Sequence, residues 1–510
     1  MASRTSTFVW LFLCLTGFPI CGFAQSVDVP RIDDTPQFSG LSTRWKATLE
    51  SIGSPGFAVA VVKDGKVLAL DAFGFRNANR DSVNVDTMYY IASATKPMVA
   101  MTVLILQDEG KLNIDDPVSK YLPDFGLANA NPEKPITLRD VLCHAAGINE
   151  FKIVWKDAYT GQITDGDYYR MLRDVEASRS VDYSNVHYTL LGRVIGAVTG
   201  KSWKDVLDEK LFAPAAMHRS TAYASKLYSD DNVAIPMLEL DRKWEVSPVV
   251  KTDRTMHAAG GVGLSARDAA QWLLLNLEQG SIDDRVILRK ATCQEMLSMQ
   301  ARFPEIEGSI RQEEGFALGW QMGNYRGKYR PMFMHGGGYV GTASYFAFLP
   351  DERIGVAVLA NAGPSGNAIT SLVMIDVFDR LLGIEDVDDL KPRFEQLANR
   401  MRATPEMKQP AGTNPAEESQ LLTLSPEEYE GEFQSEDWGM ATVELGDDQL
   451  SIQIGDLPLR LFGTAPDKFE YWIHPGMHSQ GRFVVKDQHV SEIELQFDDT
   501  VMRFQRVKED

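Results

Sequence analysis

The stretch YIASATKPMVAMTVLILQDEG, residues 90–110, sets Ser93 three positions ahead of Lys96 at the head of an apolar run that closes on Asp108 and Glu109. At the start of a helix, spacing i to i+3 puts both side chains on one face, within reach of each other. These residues alone leave two readings open. In one, the serine caps the helix and the lysine stretches to water. In the other, a dry cleft and the positive end of the helix dipole disfavour the ammonium form, and a neutral lysine accepts the serine proton. Ser-x-x-Lys occurs once in the chain, and so short a pattern decides nothing without its surroundings.

Upstream of this stretch, GFAVAVVKDGKVLALDAFG is two apolar runs joined by Asp64-Gly65, a pair that supplies the positive φ angles of a tight hairpin turn. A second hairpin is expected far downstream in ASYFAFLPDERIGVAVLANAG, around Pro350-Asp351. Between them the periodicity is helical over residues 97–109, 138–143, 188–198, 266–278 and 289–299, with Ser265 as N-cap of the fourth and Gly280 near its end. A further amphipathic helix, NAITSLVMIDVFDRLLG, follows the second hairpin. The expected fold class is therefore α+β and two-lobed: one antiparallel sheet built from both ends of the segment, flanked by helices, with a helical lobe inserted between. Past a charged, then Pro- and Ala-rich stretch, apolar residues alternate from Leu450 onward, in LSIQI, EIELQF and MRFQR. That rhythm predicts a small C-terminal all-β domain, a barrel-like meander. The domain boundaries read as 30–385 for the first domain, 386–425 for a linker and 426–510 for the β-rich tail.

The first residues have a basic start at Arg4, an apolar stretch from Phe8 to Ile20, and small residues at Gly22 and Ala24. Thirteen apolar residues fall short of the roughly 20 that span a bilayer. Residues 1–24 accordingly read as a secretory signal peptide, which makes the mature chain an exported one, periplasmic or extracellular, with no stable membrane span. Cys21 lacks the small preceding residue of a lipidation site. After cleavage only Cys143 and Cys293 remain, too few for a disulfide framework. Seventy-one acidic against 51 basic residues, a net charge of −20, weigh against nucleic acid as a partner. His474 and His478 have zinc-like spacing, but Pro475-Gly476 between them breaks a helix and makes them loop histidines. No metal or organic cofactor is implied.

Two more motifs stand in order after Ser93: Tyr183-Ser184-Asn185, just before a helix, and His335-Gly336-Gly337-Gly338, just before the second hairpin. With them, the chain from about residue 40 to 383 resembles the serine β-lactamase and penicillin-binding-protein superfamily, in particular its class C-like branch of β-lactamases, D-alanyl-D-alanine carboxypeptidases, D-aminopeptidases and esterases. Connecting stretches such as LQDEGKLNIDDPVSKYLPDF, ITLRDVLCHAAGI and AAGGVGLSARDAAQWL carry the same resemblance. It implies a β-lactamase-like fold and an exported serine hydrolase that forms an acyl-enzyme at Ser93, activated by Lys96, with Tyr183 as a second acid/base. It also implies that Asn185 binds the substrate or orients Lys96. His335 and Gly337 would lie on a cleft wall, and the N–H groups of Ser93 and Gly338 would form an oxyanion hole. The tail is similar to lipocalin-like accessory domains, through its strand rhythm and YEGEF at 429–433.

The third motif departs from the Lys-Thr-Gly of antibiotic-hydrolysing members. A mostly neutral histidine and a glycine grip a substrate carboxylate less well, which favours an ester, or an amide of the D-amino-acid peptidase type, over a β-lactam. The glycines also read as room for a bulkier small-molecule or peptide substrate. The alternatives are a binder of penicillin or peptidoglycan fragments with little turnover, or a true β-lactamase. His144 reads as structural, Cys143 as buried packing, and His187 is not counted in the site.

Overall fold

The computed structural model describes residues 29–240, 243–303, 310–384, 396, 421–446, 449–474 and 477–508. The signal segment 1–24, and the linker 386–425 apart from residues 396 and 421–425, lie outside them. Eight strands form one antiparallel sheet, in the spatial order Ala301–Arg302, Arg311–Phe316, Gln321–Tyr325, Tyr329–Tyr339, Thr342–Leu349, Ile354–Ala360, Gly56–Lys63 and Lys66–Gly74. The last two strands are the N-terminal hairpin, turned at Asp64 and Gly65 with φ of 51° and 76°. Of these, Gly56–Lys63 pairs with the Ile354–Ala360 strand of the downstream hairpin, which builds the sheet from both ends of the segment as expected.

Central strands are buried on both faces, so their sequences are unbroken apolar runs rather than alternating ones. Ala58, Ala60 and Val62 face the core that holds Trp272 and Leu273 of the Ala266–Leu277 helix. Phe57, Val59 and Val61 face the opposite core, with Trp45 of the Leu41–Ile52 helix and Val373 and Phe378 of the Pro364–Leu381 helix. Alternate residues of one strand thus serve two separate interiors. The Lys96–Asp108 helix is buried from Lys96 through Leu106, the signature of a helix surrounded by protein, and forms the axis of the inserted lobe.

The tail is a closed eight-stranded barrel whose strands follow one another in sequence order from Gly431–Ser435 to Thr500–Arg506, joined by pairing of Phe433 with Arg506. Closure leaves no free sheet edge. The barrel docks on the lobe through Asp437, bonded to Lys152 at 2.7 Å and to Arg170 at 3.2 Å, and through Asp456, whose N–H donates to Thr160 O at 2.9 Å. Phe151 stacks on Phe497 at 4.9 Å, and Trp155 meets Trp438 edge-on. His474 and His478 are not in a loop. They sit on paired strands, Lys468–His474 and Met477–Lys486, because a two-strand hairpin needs no continuous helix across Pro475-Gly476. His478 Nδ1 lies 2.9 Å from Glu470. Among the described residues, no helix is long and apolar enough to cross a membrane.

Candidate active site

Ser93 does not sit in the helix proper. It lies in a 3₁₀ turn, Ala92–Thr95, whose next residue, Lys96, begins the α-helix with Pro97 in its first turn. In a 3₁₀ turn, side chains at i and i+3 eclipse each other, which aims Lys96 at Ser93 more directly than an α-turn does. Ala92, immediately before the serine, holds a left-handed φ of 47°, an uncommon conformation for a side chain with a Cβ.

Lys96 Nζ lies 3.1 Å from Ser93 Oγ, 2.8 Å from Asn185 Oδ1 and 2.8 Å from Ala259 O. The lysine is fully buried with no carboxylate among these partners, and desolvation holds its pKa well below the ordinary value. Tyr183 places its ring 4.7 Å from the same nitrogen. The residue keeps 38% of its surface open, yet burial of the hydroxyl end pushes its pKa up to about 12, against a hydrogen bond with Ser93 that lowers it. Asn185 opens the Asn185–Thr199 helix behind a Ser184 cap, so the Tyr-Ser-Asn motif is a helix entry, as its spacing suggests. The helix starts three residues earlier than the periodicity indicates because Val186 and His187 are also buried.

The Tyr329–Tyr339 strand forms the opposite wall. His335 is buried, 6.2 Å ring to ring from Tyr183, with Nδ1 2.8 Å from Gly336 O. Burial, then the nearby Lys96, lower its pKa to about 3, so it brings no cation to the cleft. Gly337 packs on the turn that carries Ser93: a Cβ there would fall 1.9 Å from Ile91 O and 2.6 Å from Ser344 Oγ. This corrects the reading of that glycine as substrate room. Its hydrogen is required by strand-to-turn packing, and only Gly338, where the nearest atom to a Cβ is Asn367 Oδ1 at 3.9 Å, leaves space unfilled.

All seven residues singled out in the sequence lie on these facing elements. The Ala259 carbonyl was missed; it belongs to the AAGGVG connector, and nothing in a glycine-rich loop reveals which carbonyl will meet a lysine 163 positions away. Also missed was the role of His144 and His187, whose ring nitrogens lie 2.8 Å apart. Cys143 and Cys293 are buried free thiols. Among the described residues no cluster of metal-ligating side chains occurs.

Four buried histidines predict acid lability. Burial depresses His144, His187, His257 and His335, so the fold binds fewer protons than the unfolded chain below about pH 6.5, and stability falls with pH. With folded values of about 3 for His187 and His335, each loses about 2.3 kcal/mol between pH 6.5 and 4.5. Urea unfolding at the two pH values should show a loss of at least about 4 kcal/mol; equal midpoints would mean these imidazoles are not held neutral.

Residues 42–372 match the profile of the family described as Beta-lactamase. Penicillin-binding protein 4 of Amycolatopsis lactamdurans is 26% identical over 337 residues, 64% of this chain and 85% of that protein. Several further curated relatives are spanned over only 59% of their length. Among solved structures, the octameric penicillin-binding protein homologue from Pyrococcus abyssi aligns over 91% of this chain and 99% of its own with a TM-score of 0.56 at 22% identity. The D-amino acid amidase from Ochrobactrum anthropi aligns over 68% and 98% with a TM-score of 0.55, also at 22% identity. At those identities the likeness is one of fold.

Proposed function

We propose, from the premise that the chain belongs to the beta-lactamase family and is a serine hydrolase of β-lactamase-like type, that Ser93 attacks an ester or amide carbonyl and forms an acyl-enzyme. One observation carries the assignment: the bonding inventory of Lys96. A neutral amine has two N–H donors and one lone pair. In the neutral form that desolvation favours, Asn185 Oδ1 and Ala259 O, both carbonyl acceptors, take the two donors and the lone pair is left for the Ser93 hydroxyl, whereas an ammonium would donate to all three oxygens. The buried lysine is thereby an acceptor for the serine proton as Oγ bonds to the carbonyl carbon.

Tyr183 supplies the complementary half. Its raised pKa keeps the hydroxyl protonated, so it can hand a proton to the leaving alcohol or amine and be refilled from Lys96. Two groups whose environments drive their pKa values apart divide acid and base roles in this way. In this reading the N–H groups of Ser93 and Gly338 bind the developing oxyanion, and the close approach of Gly337 to Ile91 O supports it by holding their two elements together. Water then attacks the acyl carbonyl, with the same groups acting in reverse.

On the substrate side, a neutral His335 in place of a lysine weakens the hold on a carboxylate, which supports small esters or amides of D-amino acids over β-lactams. Export through residues 1–24 belongs to the same reading. The test is intact mass after incubation with a small alkyl fluorophosphonate, beside a folded Ser93→Ala variant. One label on the parent and none on the variant is expected; no label on either removes Ser93 as an activated nucleophile.

A further inference from the structure

His144 and His187 take no part in the proton transfers above, yet both are buried, and His144 lies against Tyr183 while His187 lies against His144. His144 follows the short Leu138–Leu142 helix and holds a left-handed φ of 58°. Its carbonyl accepts from Asp182 N at 3.0 Å, and its Nδ1 accepts from Ser184 N at 3.3 Å. One histidine therefore binds the backbone on both sides of Tyr183. Its ring also lies against the Tyr183 ring, with centroids 4.7 Å apart, and is backed by Phe316 at 4.8 Å.

His187, in the first turn of the following helix, fixes the ring of His144. Its Nε2 accepts from Ile148 N at 3.3 Å and its Nδ1 lies 2.8 Å from His144 Nδ1. These contacts determine both tautomers. Because His187 Nε2 accepts from Ile148 N, its proton is on Nδ1 and is given to His144 Nδ1, whose single lone pair is shared between this short contact and the longer approach of Ser184 N, so His144 has no proton there. A second proton on either ring sets N–H against N–H. The groups facing the pair are Lys96, His335, Tyr183, Tyr188 and Cys143, none of which offers a carboxylate to steady an imidazolium.

We infer that His144 and His187 form a neutral, tautomer-locked pair whose task is to position Tyr183 beside Ser93 and Lys96. The inference rests on the acid/base reading of Tyr183 and adds to it two positioning residues. It differs from a packing role, because packing is indifferent to which ring nitrogen carries the proton.

The test combines three variants with a spectroscopic readout. His187→Phe keeps the bulk and removes both ring nitrogens; the rate of fluorophosphonate labelling is expected to fall about 10- to 100-fold, the scale of a small misplacement in a catalytic site. His187→Asn keeps a donor near the place of Nδ1, and His144→Asn keeps an acceptor there, so His187→Asn should restore labelling to within about 5-fold while His144→Asn, which lacks the ring against Tyr183, should not. Long-range ¹H–¹⁵N correlation spectra of the histidine-labelled parent should show one neutral imidazole protonated at Nδ1 and partnered by one protonated at Nε2, both unchanged from pH 7.5 to 5.5. A labelled parent whose His187→Phe variant labels at the same rate overturns the positioning role alone, as does a spectrum with both rings protonated at Nε2. A parent that takes no label overturns the nucleophile assignment and the positioning role with it.

Discussion

Replacing Lys96 with methionine lowers the rate at which Ser93 is acylated by about 10³-fold, within the range general-base groups contribute, and makes the fold's stability less dependent on pH on the alkaline side. The first effect follows from the loss of the nitrogen that sits beside Ser93 Oγ, Asn185 Oδ1 and Ala259 O together. The second is a matter of sign. Desolvation lowers the folded pKa of Lys96, so above that value the native state lacks a proton that the unfolded chain still binds until about pH 10.4. Stability contributed at this position therefore rises with pH across the window and is lost as pH falls. Methionine has no such proton, so on the alkaline side the variant's unfolding free energy should climb less steeply with pH than the parent's. Fluorophosphonate labelling reads the first effect and urea titration the second. Loss of activity with an unchanged slope would place a charged lysine in the folded protein and remove it as the base.

The parts of this site that could be read from sequence are those whose geometry is local. Ser93 and Lys96 are three residues apart, so any helical turn brings them together, and Asp64-Gly65 announces its hairpin because few other pairs adopt its backbone angles. The doubly buried strands give themselves away as unbroken apolar runs. Contacts made by the fold itself were hidden. Lys96 is completed by atoms 89 and 163 positions away, and His144 meets His187 across 43 residues. His144 was legible as a structural residue, but the pairing that gives the structure its purpose depends on a loop and a helix that only the packed lobe brings together. The rhythm of the barrel is clear from Leu450, whereas its first two strands, Gly431–Ser435 and Gly439–Gly446, each begin at a glycine with positive φ and alternate less plainly.

Gly337 is where sequence and structure disagree most, and it provides the second large expected effect. In Gly337→Ala the new methyl falls 1.9 Å from Ile91 O and 2.6 Å from Ser344 Oγ, and the latter hydroxyl already donates to that same carbonyl at 2.7 Å. Neither obstacle is the free end of a flexible side chain, so the strand must leave the Ala92–Thr95 turn. That separation costs about 1 to 3 kcal/mol of stability, the scale of overpacking in a closed interior. On the oxyanion-hole reading proposed above it also displaces Gly338 relative to Ser93, and acylation falls about 100-fold or more. Gly336→Ala is the control, because its methyl meets the Tyr345 ring at 3.5 Å and Ser344 O at 3.9 Å, both ordinary contacts, and stability should stay within about 0.5 kcal/mol of the parent. Thermal unfolding and labelling of the two variants side by side separate the explanations. If Gly337→Ala labels as fast as the parent while Gly336→Ala does not, the glycines serve to admit substrate. Loss confined to Gly337→Ala means instead that the strand's closeness to Ile91 builds the oxyanion site.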